Sequence, residues 1–252
     1  MPATSLQNLF FEMLDPVEDK KSISLDIMAS AMRSPSIVDE TALFAILFNQ
    51  GLHALVCHRL SHRLWQKQRT GLAYYIQSTV SRKYSTDIHP AARFGNAIYL
   101  NAGSAGVVIG ETAVIDNDVT ILQGVTLGGT GKERGDRHPK VKKNAILQQH
   151  CSVLGNIEIG EGAIIVAKSI VTKPVPAYHK VSGVPARSAG DVKKYVVPEP
   201  EHPDGGQGDS DSDNRVRKIE DLLRKHSAFI LDEGSDTIHT WGTGESRASC
   251  NL

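Results

Sequence analysis

The stretch Gly128 to Lys140 reads Gly-Gly-Thr-Gly-Lys-Glu-Arg-Gly-Asp-Arg-His-Pro-Lys and contains no aliphatic or aromatic side chain. It gathers His138, two arginines, two lysines and two carboxylates on a glycine-rich backbone. Proton transfer and charge pairing are built from side chains of these types. A loop of this composition, leaving a rigid scaffold, is where function is expected. The other candidates carry less. His53, His58 and His62 have no carboxylate or thiol at metal-ligand spacing and are expected to line a helix surface. Cys57, Cys151 and Cys250 are too few and too scattered for a disulfide framework or a zinc site, so no metal is expected.

The scaffold is written as a beat of six. From Val141, an aliphatic residue recurs at Leu147, Val153, Ile159, Ile165 and Val171. Four residues after each of the first five beats stands a second small or apolar side chain, at Ala145, Cys151, Ile157, Ala163 and Ser169. The same phase runs through Ile109, Ile115, Ile121 and Leu127, with Ala113, Val119 and Val125 between, and earlier through Ile88 and Phe94 with Ala92 and Ile98. This period belongs neither to an α-helix nor to a simple strand. It predicts a parallel β-helix in which three hexads make one triangular coil and each coil buries its apolar side on its neighbours. The beat loses phase between Leu100 and Ile109, where three extra residues intrude, and again at the loop of 128–140.

The flanks differ in kind. Residues from about Ser5 to Tyr84 read as helical, through Leu6, Leu9, Phe10 and Met13 and later Leu72, Tyr75 and Ile76. Breaks at Asp15-Pro16, Ser34-Pro35 and Arg69-Thr70-Gly71 predict four short to medium helices. After Val171 the coil is expected to end through Pro174, Pro176, Gly183 and Pro185. The run Pro198 to Asn214 reads as a polar linker, Ile219, Leu222, Leu223, His226, Phe229 and Ile230 as an amphipathic helix, and the last twenty or so residues as a mobile end. The fold class is therefore α+β: a helical bundle over residues 1–86, a parallel β-helix over 87–190 and an extension over 191–252.

Lys plus Arg equals Asp plus Glu at 28 each, so no long-range field points to nucleic acid or to an anionic membrane, and a small molecule or a protein is the expected partner. The N-terminal residues show no basic region followed by an apolar stretch, and no segment reaches membrane-spanning length, so a reduced cytoplasmic setting is expected.

Several stretches together resemble the serine O-acetyltransferase family of left-handed β-helix acyltransferases. They are Asp87-Ile88-His89-Pro90, Gly110-Glu111-Thr112-Ala113-Val114, Val125 through Lys132, Gly135-Asp136-Arg137-His138-Pro139-Lys140, Leu154-Gly155-Asn156-Ile157 and Gly183-Val184-Pro185-Ala186-Arg187. The resemblance covers about residues 33 to 190. It implies a left-handed coil and transfer of an acetyl group from acetyl-CoA to the hydroxyl of L-serine, a step of cysteine biosynthesis. A neutral hydroxyl is a poor nucleophile, so a histidine must take its proton as it attacks the thioester. By resemblance, Arg137 holds the substrate carboxylate, His138 is a second active-site histidine and Asp87 orients the base. Gly128, Gly129, Thr130 and Ala167 match positions that line the acetyl-CoA groove. The resemblance also implies a homotrimer with active sites between subunits. Family members reach an O-acetylserine sulfhydrylase by a terminal aliphatic residue; here Leu252 stands at that place, but it also reads as the ordinary end of a loose tail, and the amphipathic stretch from Ile219 to Ile230 competes for the role.

The chain departs from the family at the reacting positions. Where the family reads Leu-Asp-His-Ala-Thr-Gly, this chain reads Leu100-Asn101-Ala102-Gly103-Ser104-Ala105-Gly106, which puts Ala102 at the place of the base. The family's aspartate before proline in the helical preface is Ser34, and its two Gly-Ala-Gly turns read Gln148-Gln149-His150 and Val166-Ala167-Lys168. Three readings follow: a slow serine acetyltransferase, with His138 or a group carried in by the lengthened loop serving as base; a catalytically weak paralogue acting as scaffold or regulatory partner of the sulfhydrylase; and an acyltransferase with another acceptor.

Overall fold

The computed structural model describes residues 17–34, 42–132 and 134–192. The expected C-terminal helix, linker and terminal Leu252 lie outside them, as do Leu6, Leu9, Phe10 and Met13.

Four helices precede the coil among the described residues: α1 (Val17–Arg33), α2 (Ala42–Phe48), α3 (Gln50–Gln66) and α4 (Thr70–Tyr84). The start of α3 is set by Asn49, whose side-chain oxygen accepts the Leu52 N–H at 3.1 Å and satisfies a donor that the first turn leaves unpaired. Ile23, Ile27, Ile46, Leu52, Leu60 and Leu64 form the bundle core. Tyr75 faces outward, contrary to its place in the sequence periodicity; α4 buries Ala73, Val80 and Tyr84 instead.

The coil is a left-handed β-helix with three parallel faces. The first stacks Thr86–Ile88, Val107–Ile109, Thr126–Gly128, Ser152–Leu154 and Ile170–Val171. The second stacks Arg93–Phe94, Val114–Ile115, Lys140–Val141 and Glu158–Ile159. The third stacks Tyr99–Leu100, Thr120–Ile121, Ile146–Leu147, Ile164–Ile165 and His179–Gly183, and is closed by the antiparallel strand Ala186–Asp191. Ile109 lies beside Leu127, Val141 beside Ile159 and Val153 beside Val171, eighteen residues on in each case, so three hexads do make one coil. Almost every beat residue is buried in one continuous core, Phe94 and Ile157 only partly. Each fully buried aliphatic contributes on the order of 1.5–3 kcal/mol.

The coil does not end after Val171. Val175 bridges Ile159, and Val181 pairs with Ile165, sixteen residues on rather than eighteen. The prolines shorten the last coil by two residues without closing it. No helix among the described residues is long and apolar enough to cross a membrane.

The histidines of α3 are not on its surface. His53 and His58 are both buried, and His62 is partly buried. His53 Nε2 bonds the Ile46 carbonyl, while His58 Nε2 and His62 Nδ1 bond the carbonyls of Ala92 and Pro90 at 3.2 and 2.7 Å. His53 ties α3 to α2, while His58 and His62 tie it to the first corner of the coil. Asp26, wholly buried, completes the tie: it accepts from Arg59 Nε at 2.6 Å and from the Ile98 N–H at 2.9 Å, and Arg59 Nη2 donates to Gly95 O. Arg33 donates to the carbonyls of Ala97 and Asp118. Gly51 permits the contact, because a Cβ there would sit 1.9 Å from Leu100 O. Bundle and coil thus share buried and part-buried polar bonds along the stretch from Pro90 to Ile98.

Candidate active site

The loop of 128–140 leaves the coil at the corner between the first and second faces. Leu127 pairs with Val153 and Val141 with Ile159, so the coil resumes in register on the far side of the excursion. Thr112 organises its return. Its Oγ1 accepts from the N–H of Arg137 at 3.0 Å and of His138 at 3.1 Å. With both lone pairs used, the hydroxyl proton goes to His138 Nδ1, 2.9 Å away, which also accepts the Thr112 N–H at 3.1 Å. Nδ1 is therefore an acceptor, and in this network the proton of the neutral ring sits on Nε2. Burial, and then the neighbouring Arg137, depress this imidazole below its ordinary value, with Glu111 opposing. His138 is thus a neutral donor rather than a base in this arrangement. Its ring packs on Gly110, where an added Cβ would stand 2.0 Å from Nε2.

Arg137 is engaged within its own chain: Nη2 meets Glu111 Oε2 at 2.9 Å and Nη1 donates to Gly135 O at 3.1 Å. Its side chain keeps a third of its surface exposed, so the guanidinium can still reach an incoming anion. Lys140 Nζ pins the loop base to the carbonyls of Thr112 and His138 and to Asp136, the last at 2.6 Å. Lys140 in turn holds the Asp136 carboxyl below its usual range.

Asp87 stands exposed on the first face and accepts from Gln77 Nε2 at 2.6 Å. Its near neighbour His89 is held by Tyr74 Oη at 3.1 Å and by the Ala91 N–H, inside an aromatic cluster with Trp65. Ala102 is completely buried among the coil residues, with its side chain in the core. Asn101 instead faces a pocket shared with Ser34 and Tyr99. The three extra residues are absorbed in a turn that ends at Gly106, where φ is +65° and a Cβ would strike Ser85 O.

The two halves of the expected site do not meet in one chain. Ala102 lies at the corner between the third and first faces, whereas Arg137 and His138 lie at the corner between the first and second. The expected acetyl-CoA positions divide the same way: Gly128, Gly129 and Thr130 stand with Arg137, and Ala167 at the other corner. Gly129 packs on Arg137, and Thr130 is exposed. Ala167 has a neighbour that the sequence did not reveal, since Gln148 Oε1 accepts its backbone N–H at 3.2 Å. His150 and Lys168 hold φ of 57° and 61°, conformations that glycine would take at less cost. Sequence reasoning assigned no role to Thr112, Glu111 or Gln77, and marked Gln148 only as a larger side chain in place of a glycine turn. For the first two the signal was present, because Gly110-Glu111-Thr112 was already a recognised stretch. Among the described residues no cluster of three or more His, Cys, Asp or Glu could hold a metal.

A left-handed coil of hexapeptide repeats, with a polar loop thrown out at one corner, defines the hexapeptide-repeat β-helix class of transferases. The chain is 45% identical over 191 residues to the serine acetyltransferase of Haemophilus influenzae, covering 74% of this chain and 69% of the relative. It is 46% identical over 192 residues to that of Escherichia coli, covering 75% and 69%. Among solved structures, Brucella abortus serine acetyltransferase in complex with coenzyme A superposes with a TM-score of 0.71 at 41% identity, covering 76% of each chain. No family model matches the chain. At this identity and coverage, the chain belongs to the serine acetyltransferase family.

Proposed function

We propose that the protein binds acetyl-CoA along the coil and transfers the acetyl group to L-serine slowly, so that its main use is as a scaffold within the cysteine-forming assembly. The observation that carries this is Ala102: at the place of the base there is a methyl group buried in the coil core. His138 does not substitute for it as placed, because its Nδ1 is taken by Thr112 and its Nε2 carries the proton. Arg137 remains suited to a carboxylate, and the 136–140 stretch that carries it is braced by Thr112 and Lys140. The acetyl-CoA reading is supported by the relative that holds coenzyme A and by the exposed Thr130 and the open space around Gly131 in the arm that begins at Gly128. Against it works Gln148, whose amide covers the Ala167 N–H.

Isothermal titration with CoA tests this reading. Measurable binding is expected, and Gln148→Gly, which frees one backbone donor, should tighten it about 2- to 10-fold, the worth of one hydrogen bond. No heat from either protein would remove acetyl-CoA from the account and leave only the scaffold.

Because the two corners carry complementary halves of a site, they can complete it only when one coil presents its loop to the exposed first face of another. We therefore take the working form to be a homotrimer, with the O-acetylserine sulfhydrylase as its protein partner through the C-terminal extension. Size-exclusion light scattering is expected to return three chains alone and a larger mass when the sulfhydrylase is added. A stable monomer, or a mixed mass unchanged by deleting the last ten residues, contradicts the respective half of this proposal.

A further inference from the structure

A hydroxyl that attacks a thioester must give up its proton, and with Ala102 buried in the coil core that proton needs another acceptor. The groups near the two corners differ in what already holds them. His138 Nδ1 accepts from Thr112, and His89 Nδ1 accepts the Ala91 N–H while its Nε2 meets Tyr74 Oη. Glu111 is paired with Arg137 at 2.9 Å and Asp136 with Lys140 at 2.6 Å. An ion pair favours the charged form of a carboxylate and so weakens it as a proton acceptor. Asp87 is different. It is exposed, enters no ion pair among the described residues, and accepts a hydrogen bond from the neutral amide of Gln77 at 2.6 Å.

Its place suits that task. Asp87 points outward from the first face, between the buried Thr86 and Ile88, and pairs with the exposed Val108 one coil on. Ser85, two residues earlier, underlies the end of the lengthened turn, where a Cβ on Gly106 would strike Ser85 O. The carboxylate therefore stands beside the turn that lacks a histidine, on the face to which the proposed trimer brings the Arg137 loop of a neighbouring copy. From α4, Gln77 fixes one of its oxygens and Tyr74 holds His89 alongside. Burial lowers the His89 imidazole, with Glu111 and Asp87 opposing, so the Asp87 charge is felt across this part of the site.

We propose that Asp87 is the general base of acetyl transfer in this chain: with no histidine beyond it to orient, it takes the proton itself. This rests on the reading of the protein as a slow serine acetyltransferase. As the serine oxygen bonds to the acetyl carbon, Asp87 accepts the hydroxyl proton. The carbon–sulfur bond then breaks, its electron pair leaves with the sulfur, and Asp87 returns the proton to the CoA thiolate. A carboxylate is a weaker base than an imidazole, so the step runs slowly.

Serine-dependent release of CoA from acetyl-CoA is followed from pH 6 to pH 8 for the full chain and for Asp87→Asn, Asp87→Glu and His150→Gln. Asp87→Asn keeps an acceptor for Gln77 and should melt as the wild type does, but turnover is expected to fall at least about tenfold. The remainder should climb with pH as hydroxide takes over, while Asp87→Glu retains part of the rate. A carboxylate is ionised throughout this range, so wild-type turnover should be nearly level, whereas an imidazole base would make it rise through about pH 6.5. His150, whose ring rests on Gly124 at the corner between the third and first faces, is the rival of that kind. Turnover that survives Asp87→Asn, or that rises through pH 6.5 and is lost in His150→Gln, overturns the assignment of Asp87 and leaves slow acetyl transfer standing. No serine-dependent release from the wild type overturns both.

Discussion

Mixed with acetyl-CoA and L-serine, the protein is expected to turn over about 10² to 10⁴ times more slowly than its Haemophilus influenzae relative, the usual worth of a positioned general base. On the proposed reading the loop still positions the substrate, while the methyl group of Ala102 cannot take the hydroxyl proton. Rewriting the corner as Asn101→Asp with Ala102→His should not restore the rate. Ala102 has no exposed surface and packs among Leu100, Val107 and the aliphatics of the next coil, so an imidazole there overfills the core. Overpacking costs about 1–3 kcal/mol, and an imidazole nitrogen buried without a partner about 1–3 more. The double variant should therefore melt at lower temperature while its rate of CoA release stays low. A variant that gained more than tenfold in rate with its melting temperature intact would show that the turn can re-aim residue 102 outward, and would sink this account.

The protein should lose stability steeply in mild acid, and His58 should carry the largest share. Its ring is buried, Nε2 is spent on Ala92 O, and Nδ1 has no partner among the described residues. Burial first, then His62 and Arg59, push its imidazole down from 6.5 to about 3, against the bond that Nε2–H donates to Ala92 O. The folded value thus lies below the unfolded one, and folding holds the ring neutral. Stability from this group is complete above about pH 6.5 and is lost as the pH falls towards 3. A shift of this size corresponds to on the order of 4–5 kcal/mol when fully developed. His53, His89 and His138 are displaced in the same direction, chiefly by burial, and add to the slope. Asp26 acts oppositely, because burial raises its carboxyl despite Arg59, so its share favours the fold as the pH falls. Urea denaturation from pH 7 to pH 4 isolates the term: His58→Gln, which keeps a donor for Ala92 O, should flatten the fall in stability. Parallel slopes for wild type and variant would assign the acid sensitivity elsewhere.

Much of this molecule was legible before any coordinates. The beat from Val141 to Val171 predicted the coil, its three hexads per turn and the inward residues. In a β-helix each buried side chain rests on the residue one coil away, so a tertiary contact becomes a fixed spacing along the chain. The two phase slips marked both loops, and Ala102 at the place of a base raised the question of activity. The shortened last coil escaped, because Val175 and Val181 keep the inward face while leaving the count of six. So did the burial of His53 and His58, the tautomer that Thr112 imposes on His138 and the Gln148 amide over Ala167. Each of these depends on where a helix rests on the coil or on which rotamer bridges two turns. Such contacts join residues at no repeated separation, as Asp26 with Ile98 and Thr112 with His138 do. A periodic pattern along the chain records what repeats; only the packed structure decides which polar groups, brought together once, leave an atom free to act.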